Sequence, residues 1–181
     1  FRVIEQKDFI VEEIHNGLFE VFDDIYSQLE TRECINVPPR AGKTTLGKWF
    51  MAYSITMNPK CNFIYTSFSQ SLLADISREL MQILEHPIYK AMYSNRTTLE
   101  EEECNPIDDF WREYLYTNEN KNVYSTKKIV TREGGVLLFA SIGSTITGFG
   151  AGIRSAKSFS GALIIDDANK PADIYSQLMR N

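Results

Sequence analysis

Cysteine is scarce. Cys34, Cys61 and Cys104 make an odd number with no CxxC spacing, which excludes a disulfide framework and fits a reducing, cytosolic compartment. No run approaches the ~18 consecutive apolar residues of a membrane span, and no charged-then-apolar secretion signal opens the chain. Basic charge is also in short supply. The 19 Lys and Arg are outnumbered by 24 Asp and Glu, for a net charge of −5, so the chain does not grip nucleic acid by overall charge and any DNA contact has to be local. No internal repeat is visible. What remains is the ordinary recipe of a globular domain: 181 residues, 43% hydrophobic and 24% charged. A chain of that length buries roughly 70% of its unfolded surface without metal or disulfide.

Periodicity sets out an alternation of elements. Phe9, Ile10, Ile14, Leu18, Val21, Phe22, Ile25 and Leu29 recur at helical spacing and predict one amphipathic helix over residues 8–30. Residues 34–37, Cys-Ile-Asn-Val, form a β-prone run stopped by Pro38-Pro39, and helix resumes from Thr44. Asn58-Pro59 ends that helix, residues 62–66 read as a second buried strand, and Ser69 opens a helix running to about His86-Pro87. The order β-α-β-α implies a parallel sheet.

Regularity fails over residues 94–127, where a run from Glu100 to Glu103 and Pro106 suggest an insertion or lid-like excursion, a solvated loop being the alternative. Residues 128–131 and 136–140 flank Glu133-Gly134-Gly135, the signature of a β-hairpin whose glycines supply positive φ. A Gly-, Ser- and Thr-rich loop follows. Residues 162–165 then form an apolar strand, expected to be buried on both faces, that ends in Asp166-Asp167.

Two of these segments carry chemistry. In a phosphate-binding loop, G-x-x-x-x-G-K-[ST], backbone N–H groups and a helix N-terminus wrap phosphate oxygens, the Lys reaches the outer phosphates and the hydroxyl ligates Mg²⁺. Here Val37-Pro38-Pro39-Arg40-Ala41-Gly42-Lys43-Thr44 keeps the second half and lacks the first glycine. Gly-Lys-Thr alone is weak evidence, but it follows a predicted strand and opens a predicted helix. The alternative is a plain helix start with a solvated Lys43. The second segment, Leu163-Ile164-Ile165-Asp166-Asp167, puts carboxylates at the end of a strand. Asp166 would hold Mg²⁺ directly or through water, and Asp167 would orient or deprotonate an attacking water. Two solvated turn aspartates are the alternative. Together the two segments indicate an α/β P-loop NTPase of the ASCE type, with further strands between its motifs, a mainly parallel central sheet flanked by helices, and a β-hairpin. No Asn-Lys-x-Asp guanine reader is visible, which disfavours a GTPase.

These residues resemble the large terminase subunit of tailed double-stranded DNA bacteriophages, the ATPase that packages DNA into a procapsid. INVPPRAGKTT looks like that family's proline-arginine variant of the phosphate loop. NPKCNFIYTSFSQSLLADISRELMQILEHPIYKAMY is similar to its second strand, serine turn and long helix. GGVLLFASIGSTITGFGAG with GALIIDDANKP resembles its Gly-Gly hairpin, Thr-Gly loop and acid motif. Many members carry Asp-Glu at the acid motif where this chain has Asp166-Asp167, and Ala168 replaces the proline of the Asp-Asp subset.

The resemblance implies Mg²⁺-dependent ATP hydrolysis in the bacterial host cytoplasm. It implies double-stranded DNA, a portal protein and a small terminase subunit as partners, in a homo-oligomeric ring. Pro39, Arg40, Ala41, Gly42, Lys43, Thr44 and Thr45 would cradle the triphosphate, and Thr44 with Asp166 would place Mg²⁺. Lys43, Asp167 and Arg40 would be catalytic, with Arg154 a finger into a neighbouring subunit's site and Arg78 a weaker candidate. Gln6 and His15 are possible adenine contacts, Ser67 and Ser69 match the serine turn, and the loop over residues 145–152 would move to couple nucleotide state to DNA. Residues 1–181 would be a truncated ATPase domain with the family's nuclease domain outside it. The basic residues Lys127, Lys128, Arg132, Arg154 and Lys157 are possible phosphate contacts or plain solvated charges. Two other readings compete: a helicase-like DNA-dependent ATPase, and a nucleotide-binding switch that does not hydrolyse.

Overall fold

The computed structural model describes residues 13–94, 124–131, 133–144, 146, 148–153 and 155–167. They form an α/β fold around a small, open, mixed sheet. Helix α1 spans Glu13–Tyr26, α2 Lys43–Met57, α3 Gln70–Glu85 and α4 Pro87–Ser94. The strands are β1 (Asn62–Ser67), β2 (Tyr124–Ser125), β3 (Lys128–Val130), β4 (Val136–Ser141) and β5 (Leu163–Ile165), in the spatial order β2-β3-β4-β1-β5.

The three strands nearest the acid motif are parallel. In register Phe63 faces Leu137 and Tyr65 faces Phe139 on β4, while Tyr65 faces Ile164 on β5. The β2-β3 and β3-β4 pairs are antiparallel, so the sheet is mixed rather than mainly parallel. The β3-β4 hairpin forms where its glycines predict it, but they do different jobs. Gly134 has φ 87°, whereas a Cβ on Gly135 would lie 2.1 Å from the Pro59 carbonyl oxygen, so only glycine lets the hairpin close on that loop.

Helix α2 is buried on almost every side, with Leu46, Phe50, Met51, Ala52 and Ile55 in the core. Pro59 disfavours helical geometry at Asn58, and the helix stops there. Helix α3 begins where Ser69 caps it, Oγ accepting from the Leu72 N–H at 3.3 Å, and its stripe of Leu73, Ile76, Leu80, Ile83 and Leu84 packs onto β1 and β4. The core therefore lies between these helices and the sheet face carrying Phe63, Tyr65, Leu137 and Phe139. Lys48 is buried on α2 and donates to Glu79 of α3 at 2.7 Å, so its charge is paired. The separate helix α4 and the short strand β2 were not foreseen in the sequence.

Two expectations fail together. Residues 32–38 run without strand structure, so the strand predicted over residues 34–37 is not formed. Strand β5 pairs with β1 only and is an edge among the described residues. Leu163 is 53% and Ile165 58% exposed, so β5 is not buried on both faces. The causes are linked, because the outer edge of β5 has no described neighbour to cover it. The predicted helix over residues 8–30 ends at Tyr26, and its first residues lie outside the described part.

Candidate functional site

Because β1, β4 and β5 are parallel, their C-terminal ends lie along one margin of the sheet, where open α/β folds place ligands. Ser67 and Ser141 end their strands side by side, and the β5 ladder continues one bond further as the Asp166 N–H donates to the Thr66 carbonyl at 2.9 Å. At this margin α2 begins. A turn leads into it, with the Ala41 N–H donating to the Pro38 carbonyl at 3.2 Å and Arg40 at φ 67°. Gly42, at φ 77°, is the N-cap and supplies no side-chain cap, so the first N–H groups of α2 have no side-chain acceptor from that position.

Residues 122 positions apart in the chain meet here. The Thr44 hydroxyl donates to Oδ2 of Asp166 at 2.7 Å, and the Tyr65 hydroxyl donates to the same oxygen at 2.7 Å. Lys43 Nζ lies 4.0 Å from Oδ1 of Asp167, a loose ion pair between half-exposed groups. Asp166 itself is buried. Burial, and next the charge of Asp166, push the Tyr65 phenol far above its ordinary pKa, so it stays a donor. Backbone strain gathers at the same place. Among the described residues, Gln28, Arg40 and Asp167 (φ 46°) are the non-glycine positions in the left-handed region, and two of the three flank this site.

A cleft of about 1010 Å³ opens beside these groups. That is at the upper end of the ~300–1,000 Å³ usual for small-molecule sites. Lys43, Thr44, Tyr65, Asp166 and Asp167 line its polar end. Phe22, Phe50 and Phe159 line an apolar part, with Phe22 and Phe50 stacked at 4.9 Å.

The structure thus brings together Lys43, Thr44, Asp166 and Asp167, drawn from both predicted motifs. Gly42 caps the helix, Ala41 precedes it and Thr45 lies in its first turn, both half-buried, and Pro39 and Arg40 are exposed outside the cleft lining. Other candidates lie elsewhere. His15 is buried on α1 and does not line the cleft, where α1 and the turn after it contribute Phe22, Ile25 and Gln28 instead. Arg78 is paired with Asp75 on the same helix. Ser69 caps α3, and Ser67 Oγ accepts from the Ser69 N–H at 3.4 Å. Gln6, Arg132, Arg154 and Ala168 lie outside the described residues, as does most of the predicted insertion.

Tyr65 is the residue that sequence reading missed. The signal was a polar-tipped aromatic inside a strand expected to be buried, since a buried phenol needs a partner. Comparisons with protein-family models, curated proteins and solved structures give no match for this chain.

Proposed function

We propose that this chain is a P-loop NTPase domain that binds and hydrolyses ATP with Mg²⁺. The observation that carries the reading is the convergence of Thr44 and Lys43, at the start of a helix capped by a left-handed glycine, on Asp166 and Asp167 at the end of a parallel strand. The donor set fits a hard cation. It is all oxygen, one hydroxyl and one buried carboxylate, and the described residues hold no cluster of three His, Cys, Asp or Glu that would form a self-sufficient cage. Such a set suits a cation that shares its coordination with phosphate oxygens and water. Thr44 and Asp166 would hold Mg²⁺, which when bound neutralises charge on the outer phosphates.

The chain's own groups would do the rest. The free N–H groups at the start of α2 and the Lys43 ammonium would bind phosphate oxygens. Asp167 would accept a proton from the water whose oxygen attacks the γ-phosphorus, as the bond to the β-phosphate oxygen breaks and ADP leaves. Arg40, exposed at the turn beside the helix start, is within the same loop and would add positive charge near the γ-phosphate. The aromatic wall of Phe22, Phe50 and Phe159 offers apolar surface for a base.

The finer reading, translocation of viral double-stranded DNA into a procapsid together with a portal protein and a small terminase subunit, rests on the sequence resemblance. Its support is the pairing of INVPPRAGKTT with GALIIDDANKP and the Gly-Gly hairpin between them. Phosphate release from the purified chain with Mg²⁺ and ATP tests the enzymatic reading. Lys43→Ala and Asp167→Asn should each lower turnover by at least about a hundredfold. Turnover retained in either removes that residue's role, and nucleotide binding without phosphate release would replace the enzyme with a switch. Faster release on adding double-stranded DNA is the expected mark of a DNA motor.

A further inference from the structure

We propose that Tyr65 is a positioning residue for the cation site, holding the Asp166 carboxylate by its Oδ2 so that Oδ1 is the oxygen offered to the metal. The inference rests on the P-loop reading above and names a residue outside both motifs. Tyr65 lies on β1, which is hydrogen-bonded on both sides, to β4 and to β5. Its register partner on β5 is Ile164, two residues before Asp166, and side chains two apart share a face of a strand. The phenol therefore runs along that face and meets the carboxylate from beneath, with the Phe139 ring 6.2 Å away and the residue only 2% exposed.

The two donors on Oδ2 differ in what anchors them. Thr44 belongs to the first turn of α2, whose hydroxyl is itself a metal-ligand candidate, whereas Tyr65 is fixed by the sheet and the core. Oδ1 accepts no hydrogen bond among the described residues. A phenylalanine would fill the same space without the cost of burying a hydroxyl, so the hydroxyl's contribution is the bond to Asp166. Groups that orient a metal ligand in this way typically account for about 10- to 100-fold in metal affinity.

The test compares the wild-type chain with Tyr65→Phe. Tyr65→Met serves as a second variant that also lacks the hydroxyl but packs differently, should the first fail to fold. A fluorescent ATP analogue is titrated in EDTA and then against rising Mg²⁺, and Mn²⁺ bound in the presence of a non-hydrolysable ATP analogue is counted by electron paramagnetic resonance. The expected result is unchanged affinity for the analogue in EDTA with a Mg²⁺ midpoint, and a Mn²⁺ dissociation constant, raised about tenfold or more. An unaltered midpoint and Mn²⁺ affinity, with the wild type still metal-dependent, would overturn the role of Tyr65 and leave the P-loop reading standing. Weakened binding in EDTA as well would also overturn it, since the residue would then act through the fold. No Mg²⁺-dependent binding by the wild type would overturn the P-loop reading itself.

Discussion

Strand β1 and residues 32–38 flank helix α2 in the chain, and both carry a short β-prone run, Asn-Phe-Ile-Tyr-Thr-Ser in one and Cys-Ile-Asn-Val in the other. Only β1 is in the sheet. It lies between two strands, its alternate residues Phe63 and Tyr65 face the helices, and it is buried along nearly its whole length. Residues 34–37 have no ladder, Cys34 is exposed and Ile35 half-buried beside the cleft. The difference teaches that β-propensity is mostly a preference for a packed surface and acts only where a neighbour supplies one. It also explains why the carboxylate side of the site is firmly built while the Arg40 turn opposite is exposed.

The sharpest way to break this comparison is to remove a side chain from each segment. Phe63→Ala should destabilise the chain by about 3–5 kcal/mol, because it empties a site packed against Phe50 and Phe159. Ile35→Ala should cost about 1 kcal/mol or less. Urea unfolding of the two variants measures both, and equal losses would mean that residues 34–37 are as firmly held as β1.

Next in size is the approach to β5. A Cβ on Gly161 would lie 2.0 Å from the Asn62 carbonyl oxygen, at a φ of 120°, so Gly161→Ala should cost about 2–4 kcal/mol. A melting temperature unchanged by that substitution would show that β5 can leave β1 without penalty. Smaller, and of opposite sign, is the effect at the turn. Arg40→Gly relieves a left-handed arginine and should raise stability by about 1 kcal/mol while removing the guanidinium. A loss of stability would mean that the arginine is held there by contacts worth more than its strain.

The gentlest probe is thiol chemistry. Cys34 should react with an alkylating reagent at once, and Cys61, fully buried after α2, only on unfolding, as peptide mapping would record. Burial pushes the Cys61 thiol from its ordinary 9.0 up to about 12. Since the raised value favours the neutral form in the folded state, its contribution to stability is complete below pH 9 and is lost as pH rises toward 12. A urea midpoint that rose over that alkaline window in the wild type, but not in Cys61→Ala, would contradict this sign.

Much of the local structure was legible in the residues. Ser69 announces the start of α3, Asn58-Pro59 the end of α2, and Glu133-Gly134-Gly135 the hairpin, because each acts through its own backbone geometry or a near hydrogen bond. That Lys43, Thr44, Asp166 and Asp167 belong in one place was legible too, since the two motifs that carry them are the pair a phosphate and a hard cation would require. Less visible was which strands find partners. The edge position of β5 depends on its pairing with β1, a strand far earlier in the chain.

The sequence by itself therefore determined the periodic elements, their caps and turns, and the polar groups available for chemistry, because these rest on interactions a few residues long. Tertiary structure alone decided that residues 34–37 stay out of the sheet and that a phenol from β1 shares one carboxylate oxygen with a hydroxyl from α2. Those outcomes depend on packing between segments far apart in the chain. A side chain's meaning there is set by which surface it meets, and no local pattern records that.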